Sequence, residues 1–205
     1  MSLGLLLVAA ALCLTGYNIW DENRAGSAVA AVLVELDTRI PDLEVEPPPE
    51  GMIPDYVLNP RMEMPAVEVD SEDYIGRLEV PSLGLDLPVM SQWSYPNLKK
   101  SPCRYVGSAY LDNLVIAAHN YEHHFGGLKN LELGADVYFT DTDGNVFHYQ
   151  VGALEQLNPE QVEDMRSSGW DLSLFTCTLG GQFRVTVRCD RVESGVYGLS
   201  YTNSQ

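Results

Sequence analysis

The run DLSLFTCTLGGQFRVTVRCDRV, residues 171–192, holds a thiol and a guanidinium at a spacing that chemistry could use. With Gly180-Gly181 as the central residues of a tight hairpin, the register opposes Leu179 with Gln182, Thr178 with Phe183 and Cys177 with Arg184. Directly opposed residues share a face, with Cβ atoms about 4.5–5.5 Å apart. Alternation then puts Leu172, Leu174, Thr176, Phe183, Val185, Val187 and Cys189 on a core face, and Ser173, Phe175, Cys177, Arg184, Thr186 and Arg188 on an open one. A cysteine on an open face beside a cation stands where a thiolate is stabilised and reachable. The plainer reading of Cys177 is a small buried hydrophobe.

A thiol nucleophile in acyl transfer also needs a group that moves protons, because a free thiol is only a few per cent ionised at neutral pH and the leaving group must be protonated. The chain has four histidines, His119, His123, His124 and His148. His119 closes the apolar run LVIAAH, where a strand leaves the core, and is the first choice on position; a strand-end histidine with only structural partners is the alternative. His148 alternates within a strand, and His123 and His124 sit in polar surroundings before Phe125.

These residues must be positioned by what surrounds them. YIGRLEV (74–80), LDLPVM (85–90), CRYVGSAY (103–110), LVIAAH (114–119), DVYFTD (136–141), VFHYQVGALEQL (146–157), DLSLFTC (171–177) and QFRVTVRCD (182–190) read as eight strands. Asp143-Gly144-Asn145 reads as a hairpin turn, and Asn158-Pro159 as the cap and first position of a short helix. Short strands with brief helical insertions in this length predict an all-β, closed or nearly closed barrel over 70–193, followed by a tail, 194–205.

The first third of the chain is different. Residues 1–20, MSLGLLLVAAALCLTGYNIW, carry no charge and close on Tyr17 and Trp20, interface-favouring types, so they read as a membrane anchor. About twenty residues at 1.5 Å rise just cross a hydrocarbon core of about 30 Å. A cleaved signal peptide with Ala28-Val29-Ala30 as its cut site is the competing reading. Residues 21–40 place Val29, Val32, Leu33, Leu36 and Ile40 at helical spacing, predicting an amphipathic juxtamembrane helix that stops before Pro41. Residues 41–69 form a Pro- and acid-rich spacer, with seven of the twelve prolines between 41 and 66. Such a stretch is expected neither to pair in a sheet nor to bury a core, either standing a domain off from a membrane or serving as a plain linker.

Charge narrows the function classes. The chain carries 29 Asp and Glu against 12 Lys and Arg, a net −17, with no basic stripe, which excludes a phosphate backbone as partner. Of these charges, residues 1–73 hold 14 acids and 3 bases, so most of the acidity belongs to the anchor, helix and spacer. The net-acidic remainder after the apolar run fits an exported domain. The four cysteines, Cys13, Cys103, Cys177 and Cys189, are too scattered for a Cys-x-x-Cys site. A Cys103–Cys189 disulfide is conceivable outside the cell.

LSLFTC before Cys177, Arg184 seven positions on, VIAAHN around His119 and the opening YIGRLEVPSLGLDLPV together resemble the sortases, surface cysteine transpeptidases of Gram-positive bacteria. The family pattern Thr-Leu-x-Thr-Cys is met as Ser173-Leu174-Phe175-Thr176-Cys177, with Ser replacing the first Thr. The resemblance implies an eight-stranded sortase barrel on a single-pass membrane anchor, with the catalytic domain outside the cell and no cofactor or metal. It implies that Cys177 attacks the carbonyl after Thr in an LPXTG-like signal of a surface protein or pilin. An amine of a cell-wall precursor or a pilin lysine would then resolve the thioacyl-enzyme. His119 would transfer protons and Arg184 would stabilise the oxyanion. Asn120 and Thr176, with Trp93 and Tyr95 between the second and third strands, are the expected substrate contacts. The pair His119-Asn120 looks like class B, whereas the short 158–170 segment suits class D or a clostridial type.

Two rivals stand beside this reading. His119, Glu122, His123 and His124 cluster as a zinc hydrolase's ligands would, but Asn120 follows the first His where a zincin has Glu, and a strand replaces the helix. A non-enzymatic adhesin or scaffold would have no use for Cys177, His119 and Arg184 together.

Overall fold

The β-branched and aromatic runs after residue 66 assemble into one sheet of nine strands: β1 (Val67–Val69), β2 (Glu72–Val80), β3 (Leu85–Met90), β4 (Cys103–Val106), β5 (Leu114–Ala117), β6 (Asp136–Asp141), β7 (Val146–Leu157), β8 (Leu172–Cys177) and β9 (Arg184–Arg191). Their order is β1-β2-β3-β4-β5-β8-β9-β7-β6, and β2 also pairs with β6. Strands β2 to β9 therefore close into an eight-stranded barrel, with β1 added beside the start of β2. The structure is a computed structural model that describes residues 2–43, 52–166, 169–178 and 181–192. Among the described residues, four α-helices accompany the barrel: α1 (Ser2–Asp37), α2 (Asp55–Leu58), α3 (Tyr95–Leu98) and α4 (Val162–Arg166).

Alternation fills the barrel. Ile75, Leu78, Val80, Val89, Leu114, Ile116, Phe139, Leu172, Leu174 and Val187 point inward and are fully buried. Closure depends on Gly76, where β2 slips in register against β3 as it begins to pair with β6. Its φ is +150°, and a Cβ there would lie 2.0 Å from the Thr140 carbonyl oxygen, so only glycine lets the two strands meet. At the expected hairpin turn the Asp141 carboxylate accepts from the backbone amides of Asp143 and Asn145, and the buried Tyr110 hydroxyl donates to it at 2.7 Å. The strand expected over 103–110 stops at Val106, because Ser108 caps a 3₁₀ turn by accepting the Tyr110 amide.

The N-terminal third departs from the expectation of separate segments. Anchor and juxtamembrane helix are one continuous helix of 36 residues. Residues 4–20 are exposed along their whole length, whereas Ala25, Val29, Val32 and Leu36 form a buried stripe against the barrel, on the side of β1 and β3. The Asp37 carboxylate pairs with Arg77 of β2 at 2.8 Å. The spacer also behaves differently from its reading. Val67–Val69 pairs with β2, Met64 is buried in the main core, and Tyr56 stacks on Tyr110 with centroids 4.8 Å apart. Proline removes only its own donor, so apolar residues between prolines remain free to pack. Residues 44–51, with Pro47-Pro48-Pro49, lie outside the described residues.

The outer face of the β8–β9 ribbon is a second correction. Ser173, Thr186 and Arg188, expected on an open surface, are buried. The short helix begins at Val162, not at Pro159, because Asn158 and Gln161 bond each other through the Asn158 amide and carbonyl instead of Asn158 capping a helix. It lays Met165 against Val115, Leu157 and Phe175 and covers the ribbon. Arg188 fastens this cover: it donates to Glu155 at 3.0 Å, to Ser173 Oγ at 2.9 Å and to the carbonyls of Asp164 and Met165. Those carbonyls are end groups of α4 that its own turns leave unpaired. Arg188→Met should therefore destabilise the barrel by about 3 kcal/mol, because it strands buried acceptors worth about 1–3 kcal/mol each. Urea unfolding followed by tryptophan fluorescence would report the drop in midpoint.

Candidate active site

Strands β5 and β8 are parallel, with Ala117 level with Phe175, and the Ala118 amide continues the ladder to the Phe175 carbonyl at 3.2 Å. Two residues further along each strand come His119 and Cys177, so the imidazole and the thiol leave neighbouring strand ends, which run about 4.8 Å apart. On the other side of β8, Cys177 is directly opposite Arg184 of β9. The next pair also matches the expected register, the Thr178 amide donating to the Phe183 carbonyl at 2.9 Å. The Leu179–Gln182 pairing and Gly180 fall outside the described residues. The ribbon face that α4 covers lower down opens again at this end, where Cys177 and Arg184 are half-buried. Phe183, expected in the core, is 40% exposed because it lies beyond the end of the barrel.

The other thiols are set apart by location. Cys103 and Cys189 are free, lie in different core clusters and are pushed up to about 12 by burial; Cys13 is exposed on α1. The histidines separate in the same way. His148 pairs with Asp136 at 2.8 Å on the β6–β7 hairpin. His124 is fully buried with neither ring nitrogen bonded, and burial, helped by His119 and His123, pushes it down to about 4. His123 is exposed beside Gly26 of α1. His119 is half-buried; burial lowers its pKa first, the Lys99 ammonium lowers it further, and the Asp21 carboxylate opposes both. Among the described residues, no three His, Cys, Asp or Glu side chains are grouped so that they could hold a metal ion.

The expected substrate contacts divide. Asn120 is half-buried directly after His119, whereas Thr176 faces the barrel interior, 3% exposed and with its hydroxyl unpartnered, on the opposite side of β8 from Cys177. Trp93 and Tyr95 are exposed and meet edge to face at 5.7 Å. They begin a line of rings: Trp93 contacts Tyr105 at 5.5 Å, and Tyr105 meets Phe175 edge-on at 5.3 Å. Phe175 precedes Cys177 by two positions on one face, so the line ends beside the thiol. Trp93 and Tyr105 also wall a cleft of about 500 Å³ that Arg61, Glu63 and Arg104 line with charge. Tyr105 had no mark in the sequence, where it was one aromatic in a strand. Tyr121 was equally unmarked, yet its ring stacks on His119 with centroids 4.9 Å apart.

A half-buried thiol opposite a guanidinium, with an imidazole just past the end of the next strand and a line of rings leading to it, has the groups that acyl transfer at a peptide carbonyl needs. Known proteins point the same way. Residues 78–192 match the sortase domain family. Sortase A of Bacillus anthracis is 26% identical over 121 residues, covering 56% of this chain and 57% of that protein. The chain thus spans little more than half the length of this curated relative. Sortase C of Streptococcus pneumoniae superposes with a TM-score of 0.52 at 26% identity, covering 62% of this chain and 72% of that one. A sortase D5 transpeptidase of Clostridium perfringens gives 0.52 at 17% identity, over 59% and 80%, a likeness of fold.

Proposed function

The chain belongs to the sortase family, and from that premise we propose that it is a membrane-anchored cysteine transpeptidase acting on an LPXTG-like sorting signal. What supports the reading is that Cys177 opposes Arg184 across β8 and β9, while His119 follows the end of β5, the strand paired with β8 on its other side, by two residues. The Cys177 thiolate adds to the carbonyl carbon after the signal's Thr, and the oxyanion takes hydrogen bonds from the Arg184 guanidinium. The C–N bond breaks as the His119 imidazolium protonates the leaving amine, leaving a thioacyl-enzyme. An incoming amine then attacks, loses a proton to His119 and forms the new amide as the Cys177 thiolate leaves, which restores the thiolate and the imidazolium. The acceptor in this reading is an amine of a cell-wall precursor or a lysine of a pilin. Leu and Pro of the signal would pack on the ring line that ends at Phe175, with Trp93, Tyr95 and Tyr105 as its outer part.

Helix α1 supplies the anchor. It is long and apolar enough to cross a membrane, and its exposed Leu5, Leu6, Leu7, Leu12, Leu14 and Ile19 would face lipid. The barrel then lies on the outer side, where its substrates are displayed. Screening the full-length chain in detergent against a peptide library with several amine acceptors tests the reading. Cleavage between two fixed signal residues with transfer to one class of amine is expected, and hydrolysis or transfer at no common motif would overturn it.

His119 also predicts a pH effect. Because Lys99 disfavours the imidazolium, Lys99→Met should raise the His119 pKa and move the limb of the kcat/KM profile that His119 governs to higher pH. Profiles of the two proteins measured side by side would show the displacement.

A further inference from the structure

The foot of the apolar helix reaches the loop that carries His119. Asp21, the first charged residue after the exposed span, accepts a hydrogen bond from the Tyr121 hydroxyl at 2.6 Å, across 100 positions of sequence. Arg24 holds the other carboxylate oxygen at 2.9 Å. One residue on, the Glu22 carboxylate accepts the Glu122 backbone amide. One turn further, Gly26 leaves room for the loop: a Cβ there would stand 3.0 Å from the His123 ring. Tyr121, fixed from α1 in this way, lays its ring on His119 at an interplanar angle of 30° and touches the buried His124 ring with its centroid 5.4 Å away. Burial and the Asp21 bond push the Tyr121 phenol up to about 12, so it remains a donor throughout the neutral range.

We infer that Asp21 and Tyr121 are positioning residues for His119, so that the anchor helix is a working part of the active site as well as its tether. An imidazole at a strand end can rotate about two side-chain torsions, and proton transfer needs one orientation of its ring. The stacked Tyr121 ring removes that freedom, and Asp21 holds Tyr121 against the helix. The inference rests on His119 being the proton-transfer group of the reaction proposed above. It also gives the acidic residues at the end of the span a task that composition alone assigned to a stand-off segment: they hold the His119 end of the barrel at the foot of the helix.

The charged groups that act on His119 are Lys99, after α3, which disfavours the imidazolium, and Asp21 on α1, which favours it; the buried His124 of its own loop is coupled to it. Losing the Asp21 charge therefore shifts the balance against the imidazolium. The test compares the full-length wild type with Asp21→Asn, Tyr121→Phe and Tyr121→Ala in detergent, using the peptide that the library selects. Tyr121→Ala should lower kcat by at least about tenfold with KM little changed, and Tyr121→Phe, which keeps the ring but loses the bond, by less. Asp21→Asn should lower kcat and also move the limb of the rate profile that His119 governs to lower pH. Ring-carbon NMR of His119 in full-length Cys177→Ala reads the same displacement without turnover, as a lower titration midpoint when Asp21→Asn is added. An active wild type whose three variants match it in kcat, with an unmoved His119 midpoint, overturns the inference alone. A wild type that turns over no peptide overturns the transpeptidase reading, and this inference with it.

Discussion

Cys177→Ala should give a protein that folds and melts like the wild type but transfers no acyl group, a loss in rate of at least about 10⁴-fold. The fold should survive because the thiol sits half-buried at a strand end, outside the core clusters, where removing one sulfur opens no enclosed cavity. Activity should not survive, since no other nucleophile among the described residues is placed to substitute. Cys103 and Cys189 are buried with thiols pushed up to about 12, the Thr176 hydroxyl faces the barrel interior, and Thr178 is bonded to the Phe183 backbone through its hydroxyl. A zinc hydrolase built on His119, Glu122 and His123 would be indifferent to this change. Rates with the library-selected peptide, alongside thermal melts, separate the two outcomes: retained turnover in a folded variant would remove Cys177 from the mechanism.

Arg184→Lys is the second large effect. The charge is kept, but a planar fork of fixed donors becomes a single ammonium on a flexible stem. If Arg184 holds the oxyanion, the loss falls on the transition state, and kcat should drop by about 10²–10³-fold with KM little changed. A purely structural Arg184 would give a different result. The only side-chain hydrogen bond it makes among the described residues is a long one, 3.5 Å, from Nη1 to the Gly181 carbonyl, so replacing it should barely alter stability. A melting temperature near that of the wild type with a collapsed kcat supports the oxyanion role, and an unaffected kcat contradicts it.

The ribbon was legible because a period of two is rigid. Once Gly180-Gly181 marked the turn, Cys177 had to oppose Arg184, and Leu172, Leu174, Val187 and Cys189 had to fill the barrel, as they do. Where the same rule went wrong, tertiary cover was the cause. Arg188 alternates like a surface residue, and only α4 folding back from the β7–β8 connection makes its site buried and gives it carbonyls to bond. Alternation reports which face a side chain takes and says nothing about what later covers that face. Likewise, the parallel pairing of β5 with β8 leaves His119 and Cys177, 58 residues apart in sequence, each two residues past the level pair Ala117 and Phe175. Position at the end of an apolar run singled His119 out, but no local pattern encodes which strand will be its neighbour; the resemblance carried that step.

Long-range contacts account for the other omissions. Val29, Val32 and Leu36 announced an amphipathic helix by their spacing, and they are its buried stripe, yet nothing in that spacing names the barrel as the surface they meet. Composition made residues 41–69 look unable to pack, because prolines and carboxylates outweigh Tyr56, Met64, Val67 and Val69 in any average. Those few apolar residues decide where the segment runs. Tyr121 is the clearest case: its partner Asp21 lies 100 positions away, so its role is visible only in three dimensions.

The central claim is that Cys177 carries the acyl group, and mass analysis of the quenched enzyme tests it most directly. The full-length chain is mixed with the library-selected peptide, without acceptor amine, acid-quenched within one turnover and mapped by proteolysis. A mass gain equal to the acyl half of the peptide is expected on the fragment containing Cys177, released by hydroxylamine and absent from Cys177→Ala. An adduct on any other residue, or full turnover with no adduct at Cys177, would contradict it.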